Sequence, residues 1–444
     1  MADLEDHGAQ APTESAPASG EMAELPRAAP PREPDRAPDP GISLLARISG
    51  FNRRREPDRL ALKYARMRAS PLGFYRATAH LFYEDLPCTG ALHEGPAVWS
   101  AGDLHLENFG AYKGDNRLVY FDITDFDEAI LAPAPVELAR FVTSVLLGAR
   151  GAGLTGRDAV SLGNVYLRAY GAALQEGKPG WLERSTSRGI VKDLIRGVRK
   201  RSRRKLLNER TEVAGRTRRL IIDHKRTLPV AEVARQRIAA YMRKFAARQP
   251  DPDFFRLLDM ARRTAGTSSL GLPRFALLVQ GYGSPDGNFL LDLKAARPPA
   301  GQDFVAAVQP AWRHQAERIV SVQSRMQGVT PALLHGILVN RQPYVLREMQ
   351  PSADRVMLDL WRGKRGRLER LLTTMGQLTA WAQLRSSGRQ NSAITDDLIA
   401  FGRNPGWHQA VMAYARFYAA RMETYFAEYC ELFDRDEVAH DVGK

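Results

Sequence analysis

The hydrophobic pattern of the chain starts late. Residues 1–41 hold 8 of the 27 prolines and few large apolar side chains, too little to offset the entropy of ordering, so they read as a disordered tail. Apolar positions begin to recur near Ile42. They take helical spacing over 56–85, with a break at Ser70-Pro71, because the residue before a proline is driven out of the helical region. Two short β segments follow residue 108, the second ending in Leu118-Val119-Tyr120-Phe121. Residues 136–149 have a nearly all-apolar face and predict a buried helix. Further on, Phe275-Ala276-Leu277-Leu278-Val279 and Phe289-Leu290-Leu291-Asp292-Leu293-Lys294 are strand-like. The turn formers Gly281-Tyr282-Gly283-Ser284-Pro285-Asp286-Gly287-Asn288 between them predict a hairpin. A helix at about 310–327, strands at Gly336–Asn340 and Tyr344–Glu348, and amphipathic helices at 365–385 and 407–433 complete the pattern.

A length of 444 residues exceeds one compact core of usual size and predicts two or three lobes. The divisions in the pattern fall at 1–41, 42–253, 254–350 and 351–444. No apolar run reaches the roughly 18 residues that span a bilayer. The N-terminal stretch has no basic region followed by an apolar one, which argues against a secretory signal. Two cysteines, Cys88 and Cys430, are too few for a disulfide scaffold or a cysteine-rich metal site. The resulting expectation is a cytoplasmic, reduced protein with no membrane span.

Charge changes this picture in one place. Of the net +14, +12 lies between Arg184 and Arg226, where 16 Lys and Arg stand against 4 Asp and Glu. Such a block is either a solvated, partly mobile loop or a surface for phosphates, nucleic acid or anionic lipid. It lacks the interleaved aromatics that stack bases, so nucleic acid would bind nonspecifically and weaken steeply with salt. An acidic or phosphorylated substrate is an equally good occupant.

The chemistry-bearing motif is Gly102-Asp103-Leu104-His105-Leu106-Glu107-Asn108. Asp103 stands five residues before Asn108, the spacing at which a kinase places its catalytic aspartate and a magnesium-binding asparagine. About 17 residues on comes Tyr120-Phe121-Asp122-Ile123-Thr124-Asp125-Phe126-Asp127-Glu128-Ala129, where a second carboxylate should grip the metal. Asp125 is the first choice and Asp122 the second. A phosphate-covering loop and a strand lysine precede the catalytic loop in ordinary kinases; here they come later. Ala265-Gly266-Thr267-Ser268-Ser269-Leu270-Gly271 stands where the loop would be, and Lys294 where the lysine would be. Gly266, Thr267, Ser268, Ser269 and Gly271 would bring backbone N–H groups to phosphate oxygens. Lys294 would supply a point charge, and Glu317, on the following helix, is its candidate partner. His105 would serve catalysis by orienting the catalytic loop or contacting a phosphate, or would be a packed, hydrogen-bonded support. The order would be circularly permuted, with the helix at 365–385 packing under the catalytic loop.

The run Asp125-Phe126 … Ala129 … Pro133 … Glu137-Leu138-Ala139 resembles that of aminoglycoside phosphotransferase-like enzymes. More broadly, residues 56–435 resemble the family known as domain of unknown function 2252, grouped with the protein-kinase-like superfamily. The resemblance is carried by Ser70-Pro71 … Phe74-Tyr75-Arg76, Gly102-Asp103-Leu104-His105 … Asn108-Phe109-Gly110, Phe121-Asp122 … Asp125-Phe126-Asp127-Glu128, the Ala265–Gly271 loop, Lys294-Ala295 and Arg347-Glu348-Met349-Gln350-Pro351-Ser352 … Asp354-Arg355. It implies an α+β, two-lobe kinase-like fold, a mostly helical large lobe beside a small antiparallel β lobe, and nucleotide binding. The chain departs from the family pattern at Ser268, where glycine is usual, at Glu137, where aspartate is usual, and at Gln383 and Arg389, where a histidine and an acid are usual. The functional expectation is a phosphotransferase with ATP and Mg2+ as cofactors, acting on a small-molecule or protein hydroxyl. The alternatives are a catalytically weak nucleotide sensor, a nucleotidyl-transferring enzyme, or a nonspecific nucleic-acid binder.

Overall fold

The structure, a computed structural model, describes residues 41–438, so the stretch read as a tail lies outside the described residues except for Gly41. Four short helices open the chain: α1 (Leu44–Asn52), α2 (Pro57–Met67), α3 (Pro71–Ala77) and α4 (Ala79–Glu84). The break at Ser70-Pro71 is a helix start. The Ser70 hydroxyl accepts from the Gly73 N–H at 3.0 Å, and Pro71 sits in the first turn, where its missing N–H has no bond to make.

Two antiparallel ribbons follow. They comprise β1 (Ala97–Ser100), β2 (Phe109–Lys113), β3 (Val119–Ile123) and β4 (Ile130–Pro133), with a 3-10 turn at Leu106–Asn108. β1 pairs with β4 and β2 with β3; Ser100 lies opposite Ile130, and Phe109 opposite Ile123. The segments 101–108 and 124–129 therefore leave the ribbons at one junction. That register brings the two aspartate motifs together. α5 (Ala134–Gly151) runs on directly and is buried from Ala134 to Ala149, as its apolar face requires. α6 (Gly156–Glu176) begins with a capping box between Thr155 and Asp158.

The basic stretch is mostly regular structure: α7 (Gly189–Lys200), α8 (Arg203–Asn208) and a hairpin of β5 (Thr211–Ala214) and β6 (Thr217–Leu220). α7 buries Ile190, Val191, Leu194, Ile195 and Val198, an apolar stripe threaded between its cations. After β7 (Thr227–Leu228) and α9 (Glu232–Ala246) come β8 (Leu257–Arg263), β9 (Arg274–Val279), β10 (Phe289–Ala295), α10 (Gln315–Met326), β11 (His335–Val339) and β12 (Gln342–Glu348). The strands form one antiparallel sheet in the order β11-β12-β10-β9-β8-β7. The predicted hairpin is the β9–β10 pair. Helices α11 (Arg365–Arg385), α12 (Thr395–Arg403) and α13 (Trp407–Asp434) end the described chain.

The architecture is thus mixed α+β, a helical region beside a small antiparallel sheet. α5 packs against α3, α6 and α13, and α11 lies chiefly along α6. In β10 the period of two decides the rest. Phe289, Leu291, Leu293 and Ala295 enter the core that the sheet shares with α9, while Leu290 faces a second, smaller core. Asp292 and Lys294 share the face of Leu290 and line a cleft. No helix among the described residues is long and apolar enough to cross a membrane.

Candidate functional site

The cleft encloses about 530 Å³ between the two ribbons, the N-terminal helices and the inner face of the sheet. Among its lining residues are nine Arg and Lys against seven Asp and Glu, a small excess of positive charge. Asp103, His105, Asn108, Asp125, Lys294 and the Gly266–Ser269 part of the glycine loop all line it, although they are far apart in sequence.

Asp103 is held from below. Arg140 of α5 donates to its Oδ1 through Nε at 2.9 Å and also through Nη2, and Oδ2 has no partner among the described residues. Burial raises the Asp103 carboxyl, and the Arg140 charge opposes the rise. Gly102 permits the turn: at φ +77° it lies so close to the Glu128 carbonyl that an added Cβ would stand 1.8 Å from the oxygen. Beneath, the Glu137 carboxylate accepts from the Ala101 N–H at 2.6 Å and from Gln383 Nε2 at 2.9 Å. Asn108 is buried and donates to the Asp103 carbonyl at 2.6 Å. His105 caps the 3-10 turn, its Nδ1 accepting from the Glu107 N–H at 3.1 Å. Burial, then the Arg76 and Arg140 charges, keep its ring neutral. The helix directly under the loop is α5, through Arg140 and through Ser144, which accepts from the Leu106 N–H at 3.1 Å. α11, the helix expected there, is linked to it through Gln383, which bonds to Glu137.

The metal assignments do not hold. Asp122 lies outside the cleft and is bonded to Arg385 at 3.1 Å and to the Gly328 N–H at 3.0 Å. Asn108 lines the cleft and donates its amide N–H to the loop, but it brings only one neutral oxygen to a metal. Asp125 faces cations: burial would raise its carboxyl, but Lys294, Arg355, Arg347 and Arg274 together hold it below the usual range. Among the described residues no group of three or more His, Cys, Asp and Glu is placed to hold a metal ion. The Mg2+ expectation is therefore corrected, and ATP as a magnesium complex falls with it.

Lys294 pairs with Asp127 rather than Glu317. Burial, then Arg347, Arg355 and Arg55, bring its ammonium down to about 8 against the pull of Asp125. Glu317 is spent locally because α10 starts only at Gln315. His314 caps that start, and the Glu317 carboxylate accepts from the Arg313 N–H at 2.8 Å and from the Arg313 guanidinium. α10 instead sends Arg318 inward, to the Asp127 carbonyl at 2.7 Å and the Arg297 carbonyl at 2.9 Å.

The glycine loop is gripped by its carbonyls. Arg55 donates to those of Ser268 and Leu270, both at 2.6 Å, and Arg66 donates to that of Gly266 at 2.7 Å. The N–H groups of Gly266, Thr267, Ser268 and Ser269 donate to no described residue. These amides line the cleft without an acceptor among the described residues.

The sequence reading missed the arginines. Arg140 had a visible signal, a cation within the apolar stretch of α5. Arg274 and Arg347 stand on strands flanking Asp292, and only strand register reveals them as its neighbours: Asp292 lies opposite Arg347, and Lys294 opposite Arg274. Arg55 and Arg76 have no sequence signal that separates them from other surface arginines.

Fold and site together define a mixed α+β protein with a cationic cleft built around an aspartate loop. Residues 55–432 match the family described as "Uncharacterized protein conserved in bacteria (DUF2252)", and the chain belongs to that family. No curated protein and no solved structure matches the chain.

Proposed function

We propose that the cleft is a phosphoryl-transfer site for a phosphorylated ligand of about nucleotide size, with a hydroxyl compound as acceptor. The observation that carries this reading is the meeting of the free Gly266–Ser269 amides, Lys294 and the open Oδ2 of Asp103 in one cleft. In the proposed reaction Asp103 takes the proton of the acceptor hydroxyl. The acceptor oxygen forms a P–O bond while the donor's terminal P–O bond breaks, and the leaving oxygen keeps the electron pair. Lys294 and the arginines around it stabilise the charge that moves onto the phosphate oxygens, and Arg140 keeps Asp103 aimed. Positioning and charge supply most of such an acceleration.

The order of parts supports a kinase-like, circularly permuted ancestry. In kinases the glycine-rich loop comes first, the lysine lies on the third strand, and a helix follows. In the sheet here, the loop lies between β8 and β9, Lys294 is on β10, and α10 follows. The helix glutamate is the part that departs, its place beside the lysine being taken by Asp127.

Thermal unfolding tests the reading, with tripolyphosphate and a panel of nucleoside mono-, di- and triphosphates as ligands. A ligand at 100 times its Kd should stabilise wild type by roughly 2.7 kcal/mol. Lys294→Ala should abolish the gain, and the wild-type gain should shrink as pH rises through 8, because only the charged lysine attracts phosphate. Asp103→Asn should bind but not transfer. If no phosphorylated ligand stabilises wild type at millimolar concentration, the reading is wrong.

A further inference from the structure

The floor of the cleft carries more guanidinium than its carboxylates absorb. Arg263, Arg274 and Arg347 converge on the single carboxylate of Asp292, at 2.7, 2.5 and 3.8 Å. Arg355 lies beside them, and its guanidinium donates no hydrogen bond to any described residue. Its nearest carboxylate oxygen, Asp125 Oδ2, is 3.8 Å away, and Lys294 already acts on that carboxylate. The Arg355 side chain is only 24% exposed. A guanidinium has five N–H donors in a fixed fork, and those of Arg355 face the cleft rather than a protein acceptor. Burial and then Arg347, Arg274 and Arg76 all work against its charge, with Asp125 alone in its favour.

The fold holds Arg355 in this unfavourable place on purpose-built contacts. Its backbone bridges to Gly110 on β2, two residues beyond Asn108. A Cβ on Gly110 would lie 3.1 Å from the Arg355 Cα and 2.8 Å from the Asp354 carbonyl oxygen, so a glycine there lets the two chains approach. Arg201 then fixes the preceding Asp354 with a two-pronged bond at 2.8 and 2.6 Å. Arg355 is thus tied to the ribbon that carries Asp103, whereas the Gly266–Ser269 segment is tied to the sheet and to α2.

We propose that Arg355, with Arg347 beside it, forms a second anion subsite on the Asp103 side of the cleft, and that the acceptor is an acidic hydroxyl compound whose carboxylate or phosphate this fork holds. The inference rests on the phosphoryl-transfer reading and adds the chemical class of the acceptor to it. An anion there supplies the missing acceptors and relieves the repulsion among the arginines, and two-pronged recognition suits a planar guanidinium.

Calorimetric titration of the full chain with inorganic phosphate reads the number of sites directly. Two phosphates should bind each wild-type chain. Arg355→Gln should lose one, Lys294→Ala the other, and Arg355→Lys should retain its phosphate roughly tenfold or more weakly, because the ammonium lacks the fork. Tartrate, a hydroxy acid, is the second probe. If it competes only for the Arg355-dependent phosphate, the subsite accepts carboxylates; if it displaces neither, the acceptor's anion is a phosphate, and both results support the subsite. A single phosphate that Arg355→Gln leaves in place overturns the subsite while the phosphoryl-transfer reading stands. Loss of both phosphates in Arg355→Gln, with an unchanged unfolding midpoint in phosphate-free buffer, also overturns it, because the two anions would then share one site. No phosphate bound at all removes the reading beneath it as well.

Discussion

The arginines between Arg184 and Arg226 and those around the cleft are one residue type in two settings. In the first region charge is dense along the sequence but spread in space. α7 turns Lys192, Arg196, Arg199 and Lys200 to solvent opposite its apolar stripe, and Arg203, Arg204 and Lys205 are exposed on α8. Of the less exposed members of this stretch, Arg201 pairs with Asp354 and Arg218 bonds to Asp286 and to the Pro285 carbonyl, while Arg210 keeps a buried Nε without a bonded partner. In the cleft the reverse holds. Arg55, Arg76, Arg263, Arg274, Arg347 and Arg355 come from distant segments and share too few carboxylates. Exposed like charges are screened within about 10 Å at ordinary salt, whereas half-buried ones are not. Crowding of charge in space therefore marks a site far better than crowding in sequence.

The sharpest way to break this contrast is to remove the carboxylate on which three arginines converge. Asp292 is buried, and although burial would raise its carboxyl, Arg263, Arg274 and Arg347 hold it far below the usual carboxylate range. Asp292→Asn keeps the shape and strands the cations, so it should cost roughly 3–5 kcal/mol in chemical denaturation. Added phosphate should restore part of that loss by neutralising the stranded arginines from the cleft side. A loss below 1 kcal/mol would mean that the cluster is hydrated and that the cleft is no different from the surface.

A buried carboxylate without a cation gives the opposite pH behaviour. Glu137 is held by the Ala101 and Gly102 N–H groups and by Gln383, with no cation among these partners, and burial pushes its carboxyl from 4.5 up to about 7. Between those values the folded chain keeps a proton that the unfolded chain has released. Stability should therefore fall as pH rises across this window, by roughly 3 kcal/mol in all, and stay level above it. Glu137→Gln should lack that slope. Equal slopes in the two proteins would show that water or rearrangement solvates the carboxylate.

These two carboxylates also show what could be read from the chain. The Asp103–Asn108 spacing, Asp125, the glycine loop and Lys294 were legible, because each is a local motif on a segment with clear turn or strand chemistry, and all but Asp122 and Gly271 of the residues chosen on these segments line the cleft. The partners were not legible. Lys294 takes Asp127 instead of Glu317, a choice fixed by where α10 begins and by the junction of two ribbons, neither of which is local. Glu137 and Gln383, two departures from the family pattern noted separately, bond to each other across 246 positions. Gln383 thus lies under the aspartate loop and does not line the cleft. α7 escaped the periodic reading because its apolar stripe is embedded in the densest run of charge.

The smallest effect should come from the exposed face. Replacing Arg199, Lys200, Arg204 and Lys205 by Gln removes four solvated cations that make no buried contact, and stability should change by no more than roughly 0.5 kcal/mol. Binding of a single-stranded polyanion such as poly-uridylate should weaken at low salt, with a shallower dependence of affinity on salt, because fewer counterions are released. Arg355→Gln should leave that binding alone, since a polymer cannot bring its backbone to a half-buried fork. If the surface variant binds poly-uridylate as wild type does and Arg355→Gln does not, polyanions enter the cleft itself, and the division between a solvated face and a ligand site must be redrawn.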